Sequence, residues 1–483
     1  MQLVLLLAAL TTLFVADAAP HEPAGAALWR LAAALVGVAA VTGIAAVGAR
    51  RTAVHLRVAR ADPADCLAVF ERYRRVHLLL WGVVAASIVF GLRWAQIVRY
   101  DWGLRRTILL DEVLLLVPIL LPIVLAWAAY YDVDQAMRFP SGQPATGRRP
   151  ASRFSFVALQ VRHQIALWLF PLLLLLSVQD TVRLVRPDWL APQRIAGVFA
   201  APLALVLLFF PQALRVIWRA KPLPAGPLRE RLLQAARAWR FRARDILVWH
   251  TDGMVAGAAL AGMLPRWRYV FLSDRLLEHL SDDEVMAVFA HEVGHVRHRH
   301  LFMRLGLIAA PIGLWEIVRV YAPISLERAE TVLQSAAGFA AAPLVVAMVT
   351  MGAVALYMVL FFGFWSRRLE SQADWFACQA TPAAKRSARV KGLGFLRTAD
   401  RDEAVRSQTE VFAAALEKLA RLNGTRRTAA GWQHASIAKR VELVRRAVND
   451  PRFARRLSLE IHLLAASLLA LFLAAGVGFL VVG

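Results

Sequence analysis

Long apolar stretches dominate the chain, and short polar or basic segments separate them. A helix needs about 20 mostly apolar residues to cross a bilayer. Nine stretches approach or exceed that length, and we predict a membrane span in each: 3–18, 27–48, 77–98, 107–130, 164–182, 195–217, 302–323, 338–365 and 459–481. The first stretch ends in Ala16-Asp17-Ala18, so a cleaved signal peptide is the alternative for it.

The composition agrees with a membrane protein. Hydrophobic residues make up 59% of the 483 positions, which is too many for an ordinary soluble domain. The net charge of +23 comes mainly from arginines that flank the spans, so we attribute it to membrane orientation and expect no nucleic acid as a partner. The two cysteines, Cys66 and Cys378, are far apart, which argues against a disulfide framework or a cysteine metal site.

The distribution of arginines predicts the orientation. Segments 50–75 and 138–162 are rich in arginine, whereas the segment before the second span has neither lysine nor arginine. The positive-inside rule places the basic segments in the cytoplasm. Counting crossings then places 218–301 and 366–458 there as well, with one basic loop, around Arg99, as an outside exception. We expect an integral protein of a bacterial inner membrane whose active site faces the cytoplasm.

These features predict a division of the chain into five parts. Membrane regions alternate with the two cytoplasmic segments. The parts are an N-terminal multi-span region, 1–217; a first cytoplasmic part, 218–301; two spans, 302–365; a second cytoplasmic part, 366–458; and a last span, 459–483.

Some charged and polar side chains fall inside the predicted spans. They are Asp111, Glu112, Gln179, Asp180 and Glu316. A charge in hydrocarbon is costly, so these groups should face the interior of the bundle. Two alternatives stay open: they line a hydrated chamber, or they pair with buried arginines.

The first cytoplasmic part predicts a helix and a small sheet before the next span. Its patterns indicate a helix over 228–240 and strands over 245–249, 255–264 and 267–272. Ser281 and Glu284 then form a capping box that begins a further helix.

That helix contains His291-Glu292-Val293-Gly294-His295, a zinc-peptidase signature. Residues four apart share a helix face, so both imidazoles can bind one metal ion. Glu292 then lies beside the metal as a candidate general base. Gly294 is unfavourable in a helix on propensity alone, so we predict that another backbone approaches it closely. We expect His298 and His300 to lie off the metal-binding face, at the membrane interface.

The third ligand is predicted after the eighth span. A catalytic zinc site needs three protein ligands and an open position. Glu370 and Asp374 are four residues apart and share a helix face. Glu370 can bind the metal while Asp374 accepts a hydrogen bond from a ligand imidazole. The alternative is an ordinary solvated acidic face.

The chain resembles the membrane zinc metallopeptidases that include the type I CAAX prenyl endopeptidase and the HtpX heat-shock protease. The resemblance covers about residues 222–445. The matching motifs are 272–277, 291–295, 366–374, 434–436 and 440–443. It implies a mainly α fold: a polytopic membrane helix bundle with a cytoplasmic, zincin-like α+β catalytic domain that bears a small sheet.

The resemblance also implies the roles of individual residues. One zinc ion per chain would be bound by His291, His295 and Glu370. Glu292 would be the catalytic base and then the acid, and His434 would stabilise the oxyanion.

The supporting roles follow from the same resemblance. Asp374 would orient a ligand histidine, and Arg440 would order the acidic pair. The family usually has Asn-Ala where a substrate backbone is held, and this chain has Gly257 and Ala258 there.

The expected function is a zinc-dependent metalloendopeptidase that hydrolyses protein substrates at the membrane, by analogy in quality control or processing of membrane proteins. Its partners would be a polypeptide substrate and the lipid bilayer, and no pattern in the sequence indicates an oligomeric state. One alternative is a membrane sensor or signal transducer with a self-cleaving, peptidase-like domain. Another is a transporter or scaffold with a vestigial site.

Overall fold

The computed structural model describes residues 2–18, 22–25, 27–58, 63–138, 152–322, 331, 342–380, 398–431 and 434–482. It is mainly helical with one small sheet. Two compact units divide the chain: Met1–Ala204 with Ala336–Met351, and Leu205–Ser335 with Gly352–Gly483. The five-part division by sequence stays a prediction.

Sixteen main helices and four strands occur in the described residues. The helices are α1 (Gln2–Ala18), α2 (Ala27–Val58), α3 (Pro63–Ala86), α4 (Leu110–Arg138), α5 (Arg153–Val161), α6 (Leu167–Val185), α7 (Pro192–Ile217), α8 (Pro227–Ala238), α9 (Asp274–His279), α10 (Asp282–Arg297), α11 (His300–Tyr321), α12 (Ala342–Tyr357), α13 (Gly363–Gln379), α14 (Thr398–Leu422), α15 (Ile437–Asn449) and α16 (Pro451–Val482). The strands are β1 (Lys221–Pro222), β2 (Asp245–Trp249), β3 (Ala258–Ala261) and β4 (Tyr269–Ser273).

Seven helices among the described residues are long and apolar enough to cross a bilayer. They are Leu28–Arg57, Val69–Gly91, Leu110–Met137, Arg153–Val185, Gly197–Ile217, His300–Tyr321 and Pro451–Gly478. These correspond to the second to seventh and the ninth predicted spans. The first predicted span is the shorter helix α1, and the eighth overlaps α12, which continues through the π-helical turn Met358–Phe362 into α13. The predicted polytopic, mainly α fold class is therefore confirmed.

The first unit pairs its buried carboxylates with arginine. Arg99 is only 7% exposed, and its Nε lies 2.9 Å from Asp111 Oδ2. Its Nη1 is 2.7 Å from Asp17 Oδ1, and its Nη2 is 3.6 Å from Glu112 Oε1. Asp180 accepts a hydrogen bond from the Leu109 amide. Of the two alternatives for the polar groups in the spans, pairing with a buried arginine is the one found at Asp111 and Glu112.

The second unit contains the sheet, with strand order β1-β2-β4-β3. Strands β2 and β4 are parallel, and the other two pairs are antiparallel. The predicted helix and three strands of this segment are confirmed, with the middle strand shortened to β3. The short strand β1 lies at the start of a proline-rich run after α7.

Both faces of β2 and β4 are covered, which explains why these strands are continuously apolar. Ile246 and Leu272 lie in the core with Phe289 of α10. On the opposite face, the Trp218 ring just after α7 stacks on Trp249 with centroids 4.3 Å apart. This arrangement fixes α10, the helix that carries the histidine motif, against the sheet.

The turn between β3 and β4 needs a glycine. Gly262 has φ +117°, and a Cβ there would lie 2.5 Å from the Trp267 carbonyl oxygen. The buried Arg268 side chain holds the turn, because its guanidinium donates to the carbonyls of Gly262, Met263 and Arg242. The turn is therefore a rigid part of the second unit.

Candidate metal centre

Helix α10 begins at the predicted capping box. The Glu284 amide donates to Ser281 Oγ, and the Ser281 amide donates to Glu284 Oε2 at 2.7 Å. Lys418 Nζ of α14 also lies 2.7 Å from that carboxylate oxygen. From this fixed start the helix is buried from Glu284 to Gly294. The motif histidines are therefore carried by a helix that is anchored at its first turn and enclosed along its length.

The end of α10 is a sharp break. Arg299 is in the left-handed region with φ 56°, and α11 starts at His300. A continuous helix would turn His300 about 140° away from His295. The break instead returns the His300 side chain to His295, where the two Nδ1 atoms are 2.8 Å apart.

Helix α13 lies against α10 at the motif. A Cβ on Gly294 would be 3.2 Å from the Ala373 Cα and 3.3 Å from its carbonyl oxygen. The predicted close approach at Gly294 is therefore confirmed, and the neighbouring backbone is that of α13. Ala373 lies between Glu370 and Asp374 on that helix, so the contact brings both carboxylates to the histidines.

Three side chains form a small triangle at this contact. His291 Nε2 and His295 Nε2 are 3.2 Å apart. Each also lies 3.5 Å from the Glu370 carboxylate, His291 from Oε2 and His295 from Oε1. Ligand atoms at about 2.0–2.1 Å from a tetrahedral zinc ion are about 3.3 Å from one another. The donor set and its spacing therefore fit a zinc ion.

A carboxylate fixes the first imidazole. Asp374 Oδ1 lies 2.9 Å from His291 Nδ1, which favours a proton on that nitrogen and a bare Nε2 toward Glu370. Arg440 of α15 binds the same carboxylate with Nε and Nη2, at 2.9 and 2.6 Å. Burial opposes ionisation of Asp374, but Arg440 and His291 outweigh it and lower the pKa of Asp374. Asp374 thus links His291 to Arg440, and the supporting roles of these two residues stay a prediction.

A neutral chain of hydrogen bonds fixes the second imidazole. His300 Nε2 lies 2.9 Å from Gln372 Oε1, so that nitrogen donates and His300 Nδ1 is left as an acceptor. His295 Nδ1 then donates to His300, and His295 Nε2 is bare toward Glu370. The prediction that His300 is an interfacial residue is wrong, since its side chain is fully buried behind the ligand. The prediction rested on one continuous helix through His300, and helical periodicity gives no sign of the break at Arg299.

Burial and neighbouring charges shift the pKa values of the cluster in both directions. Burial lowers the pKa of His295 well below its usual value, which favours the neutral imidazole. Burial raises the pKa of Glu370, but its electrostatic interaction with the adjacent His295 and hydrogen bonds from His291 and His434 bring it well below the usual value. For His291, the Asp374 and Glu370 carboxylates outweigh burial and raise the pKa to about 9. Burial also raises the pKa of Glu292, which is 9% exposed.

Two further side chains contact Glu370. His434 Nδ1 lies 3.1 Å from Oε2, and its side chain is 57% exposed, so the structure brings this predicted residue to the site. Arg304 Nη2 of α11 donates to Oε1 at 2.5 Å. The sequence reasoning missed Arg304 because it lies within a predicted span, and only the packing of α11 on α13 brings it to the carboxylate.

The predicted substrate-binding pair lies at the start of β3. The Gly257 amide donates to Ser273 Oγ, and its carbonyl accepts from the Ser273 amide, so both groups are used within the sheet. Successive residues of a strand direct these groups to opposite edges. Those of Ala258 therefore face the outer edge of β3, where no strand of the described chain pairs.

Comparisons with known proteins agree with this geometry. The sequence profile of Peptidase family M48 matches residues 222–442. A protease HtpX homolog of Aeropyrum pernix is 34% identical over 125 residues, which are 24% of this chain and 38% of the relative. A CAAX prenyl protease 1 homolog of Arabidopsis thaliana is 29% identical over 164 residues, which are 32% of this chain and 37% of the relative.

The matched segments thus span less than two-fifths of the curated relatives' lengths. The crystal structure of S. mikatae Ste24p aligns with 86% of this chain and 98% of its own, at 15% identity and a TM-score of 0.40. The predicted resemblance is confirmed by the profile and by the two sequence relatives. Residues 222–442 of the chain are therefore similar to peptidase family M48.

Proposed function

We propose that the protein is an integral-membrane, zinc-dependent metalloendopeptidase that hydrolyses polypeptides at the cytoplasmic face of the membrane. One observation carries the proposal: the triangle of His291 Nε2, His295 Nε2 and the Glu370 carboxylate, with sides of 3.2, 3.5 and 3.5 Å. It holds three donors of the types a catalytic zinc needs. Zinc bound there lowers the pKa of water and polarises a carbonyl group.

The chain's own residues would then move the proton. Glu292 follows His291 on the same buried helix, and its charge interacts with those of His291 and Glu370. A glutamate whose pKa is raised by burial can take a proton from the attacking water and return it to the leaving amine. Glu292 is therefore the proposed general base and acid.

His434 is the proposed oxyanion donor. It is the most exposed member of the cluster, so a bound substrate can reach it, and its Nδ1 is oriented by Glu370 Oε2 at 3.1 Å. A donor held in this way stabilises charge on a tetrahedral oxygen without reorganising during the reaction.

The proposed substrate is an extended polypeptide that pairs with the outer edge of β3. Peptides commonly bind by adding a strand to such an edge. The backbone groups of Ala258 and of Leu260, two residues later, face that edge. Ala258 is therefore the main-chain contact, and Gly257 supports it from within the sheet through Ser273.

The cytoplasmic orientation and a bacterial inner membrane are proposed from the arginine-rich segments between spans. A role in quality control or processing of membrane proteins follows by analogy with the relatives' family.

Metal analysis and proteolysis of the full-length protein test the proposal. We expect one zinc per chain and cleavage of an unfolded test protein that a chelator stops and added zinc restores. Glu292→Gln should keep its zinc and lose turnover by roughly 10²–10⁴-fold. The matched control is Glu230→Gln, which changes an exposed glutamate of α8 and should leave both unchanged. Wild-type protein without zinc, or full turnover in Glu292→Gln, would contradict the proposal.

A further inference from the structure

A cavity of about 870 Å³ lies in the second unit, outside the metal centre. Five arginines line it: Arg229, Arg237, Arg242, Arg244 and Arg266. Asp245 is the one acidic residue of the lining, and its carboxylate already pairs with Arg229 at 2.8 Å. The cavity therefore carries four arginines in excess of its acidic charge.

These four arginines are not neutralised by neighbours. All four side chains are exposed, and none forms an ion pair with a carboxylate of the described residues. They are Arg237, Arg242, Arg244 and Arg266. Like charges that converge on one cavity repel one another, so an anion bound among them relieves this repulsion. Arginine is the side chain best suited to bind phosphate, because its planar fork donates two parallel hydrogen bonds.

The wall that carries two of these arginines is rigid. The buried Arg268 guanidinium donates to the Arg242 carbonyl at 3.0 Å and to the Met263 carbonyl at 2.6 Å. It thereby ties the segment before β2 to the turn that precedes Arg266. The remaining lining is apolar and includes Phe241 and Phe289. A charged rim over an apolar interior is the lining that an amphipathic ligand requires.

The cavity lies beside a membrane-spanning helix. The Trp267 ring, part of the lining, contacts the Phe209 ring of α7 with centroids 4.8 Å apart. Phe209 belongs to the apolar span Gly197–Ile217, and the polar residues Gln212 and Arg215 follow it. The cavity therefore lies beside the C-terminal end of this span, and tryptophan is enriched where spans meet the membrane surface. A lipid of the adjoining leaflet can therefore reach the cavity.

We propose that this basic cavity binds an anionic phospholipid, with the headgroup phosphate between Arg242 and Arg266 and the first part of an acyl chain against Phe241 and Trp267. Basic pockets at the membrane surface recognise anionic headgroups in this way. The proposal concerns lipid binding and stands apart from the peptidase reaction.

The test uses the full-length protein, transferred from detergent into nanodiscs of phosphatidylcholine with a graded fraction of phosphatidylglycerol. Native mass spectrometry then counts the lipids that stay bound. We expect the wild-type protein to retain phosphatidylglycerol in preference to phosphatidylcholine. The double variant Arg242→Gln/Arg266→Gln should bind phosphatidylglycerol roughly thirty-fold more weakly, since each arginine near an anionic surface contributes about five-fold.

The matched control is Arg421→Gln/Arg426→Gln, which removes the same charge from exposed positions outside the cavity. It should retain phosphatidylglycerol as the wild type does. Thermal unfolding of every variant shows whether it is folded, and Arg237→Gln is the replacement if the double variant is not. The proposal is overturned if cavity and control variants lose the lipid equally or not at all. It is also overturned if millimolar inorganic phosphate displaces the lipid, because the cavity would then bind a soluble phosphate.

Discussion

Gly294 is the point at which α10 and α13, the helices of the candidate metal site, meet, and replacing it with alanine should weaken that site in a protein that still folds. A Cβ at this position would lie 3.2 Å from the Ala373 Cα, 3.2 Å from Phe376 Cδ1 and 3.3 Å from the Ala373 carbonyl oxygen. Two of these atoms are backbone. The Gly294→Ala variant can therefore relieve the contact only if α13 moves away from α10 by a few tenths of an ångström.

The effect on stability is a difference between two terms of similar size. Alanine favours a helix over glycine by about 1 kcal/mol. Overpacking a close contact costs about 1–3 kcal/mol. We expect a net destabilisation of about 0–2 kcal/mol, so the variant should fold.

The same movement of α13 acts on metal binding. Glu370 is on the helix that has to move, and its carboxylate lies 3.5 Å from both imidazole nitrogens. Metal sites hold their ligands to within about 0.2 Å. A displacement of that size or more should lower zinc affinity by about tenfold, and peptidase turnover should fall with it.

The assay compares wild type, Gly294→Ala and the control Gly43→Ala by thermal unfolding and by competition with a zinc chelator. Gly43 lies in α2, and a Cβ there meets no atom within 4 Å, so the control tests helix propensity without a clash. A Gly294→Ala variant with a raised melting temperature and wild-type zinc affinity would refute the argument, because the contact would then tolerate the methyl group.

Three further results are expected. His300→Phe removes the acceptor of the His295 Nδ1 proton, so zinc affinity measured by chelator competition should fall 10- to 100-fold. Gln372→Leu should have a smaller effect, and unchanged affinity in both variants would contradict the orienting role of these two residues. Arg440→Met removes the guanidinium from the buried Asp374 carboxylate, which keeps its contact with His291, and should destabilise the fold by about 3–5 kcal/mol in denaturant unfolding. A loss below about 1 kcal/mol would show that solvent reaches the carboxylate. Because the pKa of His291 is about 9, zinc must displace a proton from this imidazole below that pH. Zinc affinity should therefore rise about tenfold per pH unit and level off near pH 9. A zinc affinity that calorimetry finds constant from about pH 6.5 to 8.5 would contradict this pH dependence.

Much of this protein could be predicted from local sequence patterns. The apolar stretches give seven of the nine predicted spans among the described residues, because length and hydropathy alone decide whether a helix can cross a bilayer. The capping box at Ser281 and the spacing of His291 and His295 are equally local, since a helix fixes which residues share a face. Gly294 belongs to this group too, because its poor helix propensity indicates a close neighbour.

The identity of the neighbours was decided by the tertiary structure. The break at Arg299 turns His300 behind His295, and the packing of α11 and α13 brings Arg304 and Gln372 to the same cluster. Strand pairing, in turn, takes up the polar groups of Gly257 and leaves those of Ala258 at the open edge of β3. A repeating pattern specifies which way a side chain leaves its own helix or strand. It carries no information about where the chain interrupts that pattern, or about which distant segment packs on the exposed side.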